Sequence, residues 1–265
     1  MTTATIDNSA GGFWPAVQAM AWREWVRFFR QRSRVIGAFA TPVIFWVLLG
    51  FGADRVFDAD GSGVGYRAYF FPGALVMILL FTAIFSTITV IDDRNEGFLQ
   101  GVLVSPAPRS AIVLGKVVGG SAIAMVQALA FLVLYPVLAG DWPGLWPMVA
   151  AALAMALLAV ALTGLGLVMA WRMESTAGYH AMMNILLMPM WFLSGAVFPA
   201  SSAPLWMKAI MAINPLTYGH QLLSSLLLGG DAPDALVPAW VAALVVAGFA
   251  AVMVGVATRL ANQPA

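Results

Sequence analysis

The sequence predicts an all-α integral membrane protein of six transmembrane helices with both termini in the cytoplasm, and three observations carry that prediction. Apolar residues make up 62% of the 265 positions and charged residues 9%, against roughly 25% charged in a soluble domain; mean hydropathy is +0.89. Uncharged runs long enough to cross hydrocarbon recur at 35–52, 69–91, 117–138, 148–171, 181–198 and 236–257. With the N-terminus inside, Arg23, Arg27, Arg30, Arg32, Arg34, Arg94, Arg109, Lys116, Arg172 and Arg259 fall on the cytoplasmic side, and only Arg55, Arg67 and Lys208 fall outside. Basic loops resist translocation, so this asymmetry sets the orientation.

The chain therefore divides into a cytoplasmic N-terminus (1–34), a transmembrane domain (35–258) and a short cytoplasmic tail (259–265). Its opening lacks the short apolar core and small-residue cleavage site of a secretory leader. Between 14 and 34, Arg23, Arg27, Arg30 and Arg34 recur every three or four positions, one stripe of a helix. Trp14, Val17, Ala21, Trp25 and Phe28 share the other side, flanked by Trp22 and Phe29. A helix with a basic and an aromatic face lies along a membrane surface, the arginines at anionic headgroups. It serves as an anchor that orients the chain or, in addition, as the cytoplasmic rim of a substrate entrance.

The second and third spans are joined by "DDRNEGFLQGVLVSPAPRSAIVLGK" (92–116). Asp92, Asp93 and Glu96 suit a helix start, and Phe98, Leu99, Val102 and Leu103 give the short helix that follows one apolar face. Pro106 stops that helix and Pro108 keeps "PAPR" extended. An apolar knob in the cytosol buries itself in lipid headgroups or in a partner protein; the pattern fits both.

The fifth span carries Met182, Met183, Met188, Met190, Trp191 and Phe192, and methionine refits to varied shapes. Met183, Met188, Trp191 and Phe192 are the candidates for an adaptable apolar substrate path, the alternative being contact with lipid or neighbouring helices. Gly119, Gly120, Gly164 and Gly166 permit close helix approach. The external segment 199–235 holds two apolar pieces, 204–213 and 216–228, on either side of Asn214-Pro215. Each is too short to span, so it reads as a re-entrant helical hairpin; a seventh and eighth span would also preserve the topology.

The spans so bounded contain Gln127 and Asn184 but no charged residue, unlike ion-coupled carriers. Glu174, His180 and His220 lack metal-ligand spacing and are expected to be ordinary hydrogen-bonded side chains. The chain has no cysteine and a net charge of +1, which points to neither thiolate chemistry nor nucleic acid. It also lacks the Gly-x-x-x-x-Gly-Lys-Ser/Thr phosphate loop, so any ATP that drives it is bound by a separate polypeptide.

"RNEGFLQGVLVSPAPRSAIVLGK" resembles the cytoplasmic loop of ABC-2 type exporter permeases, and "NPLTYGHQLLSSLLLGG" (214–230) looks like that family's external segment. With six spans, internal termini and an amphipathic N-terminal helix, the resemblance covers nearly the whole chain. It implies a non-catalytic permease subunit that moves an amphipathic or hydrophobic substrate (drug, lipid or lipid-linked glycan) outward. It also implies two copies working with separate nucleotide-binding subunits that hold ATP and Mg. The coupling helix would comprise Glu96, Gly97, Phe98, Leu99, Val102 and Leu103, with Arg109 at its far rim. The membrane-surface helix would use Trp22 and Trp25 with its four arginines. Arginine supplies 11 of the 13 basic residues, which suggests a GC-rich genome and a bacterial cytoplasmic membrane. The competing class is a scaffold or channel-like pore that no ATPase drives.

Overall fold

The computed structural model describes residues 12–57, 65–98, 101, 108–140, 142–200, 202–229 and 236–262. Among them the regular elements are helices: α1 (Phe13–Arg30), α2 (Arg32–Phe57), α3 (Tyr66–Ser86), α4 (Thr89–Asn95), α5 (Arg109–Leu132), α6 (Tyr135–Ala139), α7 (Leu145–Arg172), α8 (Thr176–Trp191), α9 (Leu205–Ile213), α10 (Pro215–Leu227) and α11 (Ala239–Asn262). A π-helical turn, Phe192–Ala196, continues α8. Leu99, Val102 and Leu103 of the predicted coupling helix lie outside the described residues, as does the side chain of Arg34.

Among the described residues, five helical stretches are long and apolar enough to cross a bilayer: Val35–Ala53, Tyr66–Asn95, Arg109–Leu132, Leu145–Arg172 and Ala239–Asn262. The run predicted to span at 181–198 takes a different form. Pro189 sits inside α8, and at the π turn Gly195 adopts a φ of +87°, a left-handed conformation that interrupts α geometry. The stretch is a broken helix.

The axis of the bundle is α3, whose side chains from Ala74 to Leu80 are all fully buried. Around it pack α2, α5, α7 and α10. The aromatic rings of Trp46 in α2, Phe71 in α3 and Phe131 in α5 meet edge-on or stacked at centroid separations of 4.5–6.2 Å. Glycines set the closest crossings. A Cβ on Gly120 would collide with Ser86 and Thr163, and one on Gly166 would stand 2.7 Å from the Thr87 hydroxyl.

Between α3 and α4 the helix breaks at Thr87–Ile88. Here Ser86, Thr87 and Thr89 each turn their hydroxyl onto a carbonyl three residues back. Such local bonds compete with the helical ladder and bend it. Asp92 and Asp93, expected to open the short apolar helix, lie instead within α4, which begins before them and ends at Asn95; of the apolar helix itself only Phe98 and Gly101 are among the described residues, both helical.

The two predicted external helices form as α9 and α10, with Pro204 just before the first and Pro215 opening the second. They differ in burial. Leu205, Trp206 and Ile213 of α9 are 62–85% exposed, whereas α10 buries Leu216, His220, Leu223 and Leu227 against the bundle.

Candidate functional site: a charged joint at the base of the α4–α5 loop

One end of the bundle gathers α1, α4, the start of α5 and the last turns of α7 and α11. Arg94 of α4 donates to the carbonyls of Trp171 and Met173 at the end of α7. Arg109 at the start of α5 donates to the Ala261 carbonyl of α11. The first helix and the last turn of the final one therefore sit at the same end.

Helix α1 lies along α5 with Val17, Met20, Glu24 and Phe28 inward, a stripe at spacings of three and four. Close approach is possible because α5 presents Gly115 and Gly119: a Cβ on Gly115 would stand 2.6 Å from the Met20 Cβ, and one on Gly119 2.9 Å from that of Glu24. The apolar side of α1 is thereby divided. Val17 and Phe28 are buried while Trp14 and Trp22 stay 70% and 67% exposed.

Glu24 falls within the buried stripe, and its partner is Lys116 of α5. The Lys116 ammonium donates to Glu24 Oε1 at 2.7 Å, to Asp93 Oδ2 at 2.8 Å and to the Thr89 hydroxyl at 3.2 Å. All three charged side chains are at most 3% exposed. The Arg23 guanidinium grips both Asp93 oxygens, at 2.6 and 2.9 Å, in the fork geometry that suits Arg to a carboxylate. Arg27 reaches Asp93 at 2.8 Å, Asp92 at 3.3 Å and Glu96 at 3.8 Å. The hydrogen bond to Asp93 raises the Arg23 guanidinium above its ordinary pKa, so it stays charged at any physiological pH. Buried charges persist only when paired and hydrogen-bonded in this manner.

The joint continues into the loop that follows α4. After α4, Gly97 takes a φ of +75° and turns the chain back, and the Phe98 ring lies under the Arg23 guanidinium at 3.8 Å, a cation–π contact. Phe98 is still 38% exposed.

Of the predicted membrane-surface arginines, Arg23 and Arg27 thus face protein carboxylates, while Arg30 is exposed and Trp25 half-buried. Glu96, Gly97 and Phe98 fall together at the joint, and Arg109 stands apart at the end of α11. Of the proposed path residues, Met188 borders a cleft of about 1010 Å³ between α2, α3 and α8, with Arg30, Arg32, Phe81, Phe85 and His180 among its other walls. Met183 and Trp191 instead pack into the core, Trp191 donating to the Gly73 carbonyl at 2.9 Å. Phe192 points outward at 40% exposure. His220 is 6% exposed with no partner for Nε2 among the described residues, contrary to the expected satisfied side chain.

Reading the sequence in windows missed Glu24 and Lys116. The available signal was a lone carboxylate on the apolar stripe of α1 and a lone ammonium between two glycines.

A family-wide sequence profile for the ABC-2 type transporter matches residues 15–228, from α1 through the end of α10. The chain belongs to the ABC-2 type transporter family. It is similar to nodulation protein J of Rhizobium leguminosarum bv. viciae, 27% identical over 247 residues that cover 86% of this chain and 87% of the relative. A putative transport permease, ycf38, of Cyanophora paradoxa is 26% identical over 74% of this chain and 68% of its own length. The probable multidrug ABC transporter permease YbhR of Escherichia coli K12 is 28% identical over 58% of this chain and 42% of its own length. This ABC-2 protein is a multi-pass membrane subunit of an ABC transporter.

Proposed function

We propose that the chain is the permease of an ATP-driven exporter in a bacterial cytoplasmic membrane, with both termini cytoplasmic and α9–α10 a re-entrant external hairpin. Two copies work with two nucleotide-binding subunits that hold the ATP and Mg. The carrying observation is the presentation of Phe98: an aromatic ring, partly exposed, on a stub that ion pairs to α1 and bonds to α7 hold rigid. Rigid aromatic anchors are what a partner's groove selects. Glu96, Gly97, Leu99, Val102, Leu103 and Arg109 complete that contact.

The substrate reading rests on the cleft, whose aromatic and methionine walls and arginine mouth suit an amphipathic molecule with an anionic head. Asn184 is exposed on apolar α8 beside Met182, Ile185 and Leu186. An amide facing hydrocarbon is costly, which favours that face as the contact with the second copy.

Purification from native membranes tests the reading. The wild-type chain brings down a P-loop ATPase identified by mass spectrometry, and the double variant Phe98→Ala, Leu103→Ala loses it while still inserting. Truncation of one buried anchor typically costs about 2 kcal/mol, roughly 30-fold in affinity. Full retention of the ATPase by the double variant would place the knob on lipid headgroups and favour the scaffold or pore.

A further inference from the structure

The part of α1 that α5 leaves uncovered carries a stripe of its own. Gln18, Trp22, Trp25 and Phe29 follow at spacings of four, three and four, with the Trp25 and Phe29 rings 4.7 Å apart. This side is distinct from the inward stripe that ends at Phe28 and from the arginine side that faces α4. Where it meets α5 there is a notch of about 290 Å³, bordered by the rings of Trp22 and Trp25 and by the small residues Ala21, Gly119 and Ala122.

The notch has a direction, because α1 runs parallel to α5. Gly115 meets Val17 and Met20, Gly119 meets Ala21 and Glu24, and Phe28 and Ile123 border a common crevice further on. At the end of the notch toward the start of α5 stands Gln18, a neutral amide. In the other direction Val118 and Ala122 lead into Val126, Leu129 and Val133, one face of α5 at spacings of four, four, three and four. Val118, Val126, Leu129 and Val133 are all exposed. On a spanning helix such a face meets acyl chains, which are as apolar as leucine. The notch is thus the upper end of a lipid-facing surface, flanked by the residue type that marks a membrane–water interface.

Its chemistry narrows the occupant. Among the described residues no charged side chain lines it, so a headgroup phosphate gains nothing by entering, and a water finds too few of the two to four polar partners it needs. Its volume, about 290 Å³ against about 1010 Å³ for the cleft between α2, α3 and α8, admits roughly ten groups of ~30 Å³ each. That is a stretch of one alkyl chain.

We propose that this notch is a lipid site, which seats the upper part of one acyl chain of a membrane phospholipid against Trp22 and Trp25. The headgroup lies beyond Gln18, and the rest of the chain follows Val126, Leu129 and Val133. The site takes a chain irrespective of its headgroup and is separate from the cleft on which the substrate reading rests. It belongs to the leaflet at the charged end of the bundle, the inner one under the topology proposed above.

The probe is phosphatidylethanolamine carrying a diazirine in the upper half of one chain, present in trace in nanodiscs that hold the full-length protein. Photolysis and peptide mapping place cross-links on residues 18–25 and 118–122 about ten-fold more often than on Leu145, Val149 and Leu153, an exposed apolar stripe of α7. The enrichment is the same when the bulk lipid is phosphatidylglycerol. Ala122→Phe fills the notch and Trp22→Ala removes one of its sides; each lowers these cross-links to the level of the α7 stripe. Cross-links on α7 stay unchanged in both, which shows that the variants remain folded in the bilayer.

Notch cross-linking no greater than that of the α7 stripe, or an enrichment that survives both variants, overturns the proposal. So does an enrichment confined to one headgroup, or a photoreactive residue at Trp22 that captures a protein instead of lipid in native membranes. Thiol labelling of single cysteines at Ser202 and Asn95 decides the leaflet independently, so failure of the topology and failure of the site are told apart.

Discussion

Replacing Lys116 with Met leaves two buried carboxylates in unequal positions. Asp93 keeps both bonds from Arg23 and one from Arg27. Glu24 keeps the Thr89 hydroxyl at 2.8 Å and Arg23 at 3.8 Å, with its carboxylate 3% exposed. One buried charge is thus left nearly uncompensated, and breaking a buried pair from one side costs about 3–5 kcal/mol. Replacing both partners is a different perturbation. Apolar substitution of an entire buried pair is often neutral or stabilising, so Glu24→Met with Lys116→Met lies within about 1 kcal/mol of wild type. The assay is a double-mutant cycle of unfolding free energies, by titration with a denaturing detergent in mixed micelles. The cycle should show a coupling of several kcal/mol between the two positions. Loss of less than about 1 kcal/mol in Lys116→Met, or a double variant no more stable than the single, would refute the argument that this pair is a compensated buried charge.

Two further outcomes follow from the fold. Asn214→Ala removes a helix cap at Leu216 and the donor to the Met190 and Leu193 carbonyls at 2.6 and 3.1 Å. A cap is worth about 1 kcal/mol and a stranded buried carbonyl about as much again, so the variant loses about 2–3 kcal/mol in the same titration; a loss below about 0.5 kcal/mol would show that water serves the π turn equally well. For orientation, a single cysteine at Ser202 reacts with an impermeant thiol reagent added to intact cells, and one at Asn95 reacts only after the membrane is opened; the reverse pattern inverts the topology.

Much of the fold was legible in the sequence because membrane helices declare themselves by composition and length. The division of the external segment into two helices followed from Pro204 and Asn214-Pro215, and the amphipathic N-terminal helix from the spacing of its arginines. The break in α8 was less visible. Uniform apolarity from 181 to 198 reads as one unbroken helix, and the marks of the break, Pro189 and Gly195, are residues that intact membrane helices also tolerate. The joint was hidden for another reason. Its hydrogen-bonded ion pairs join positions 23 to 92 residues apart, and periodicity reports only which residues share a face. Ending the apolar run just after Lys116 made that residue look like a boundary charge, whereas α5 begins two turns earlier, at Arg109.

The two ends of the bundle are held by different chemistry. Opposite the charged joint, neutral donors bond to backbone carbonyls: Tyr66 to Val197, Tyr69 to Gly195, Tyr135 to Leu227 and Asn214 to Met190 and Leu193. These bonds satisfy the carbonyls that the π turn and helix ends leave open, and where water is scarce such groups have few other partners. They resist motion because each opening strands a polar atom. At the charged end, arginine presents several donors to several carboxylate oxygens, so the loss of any one bond leaves no ion bare and α1, α4 and α5 stay joined as one unit.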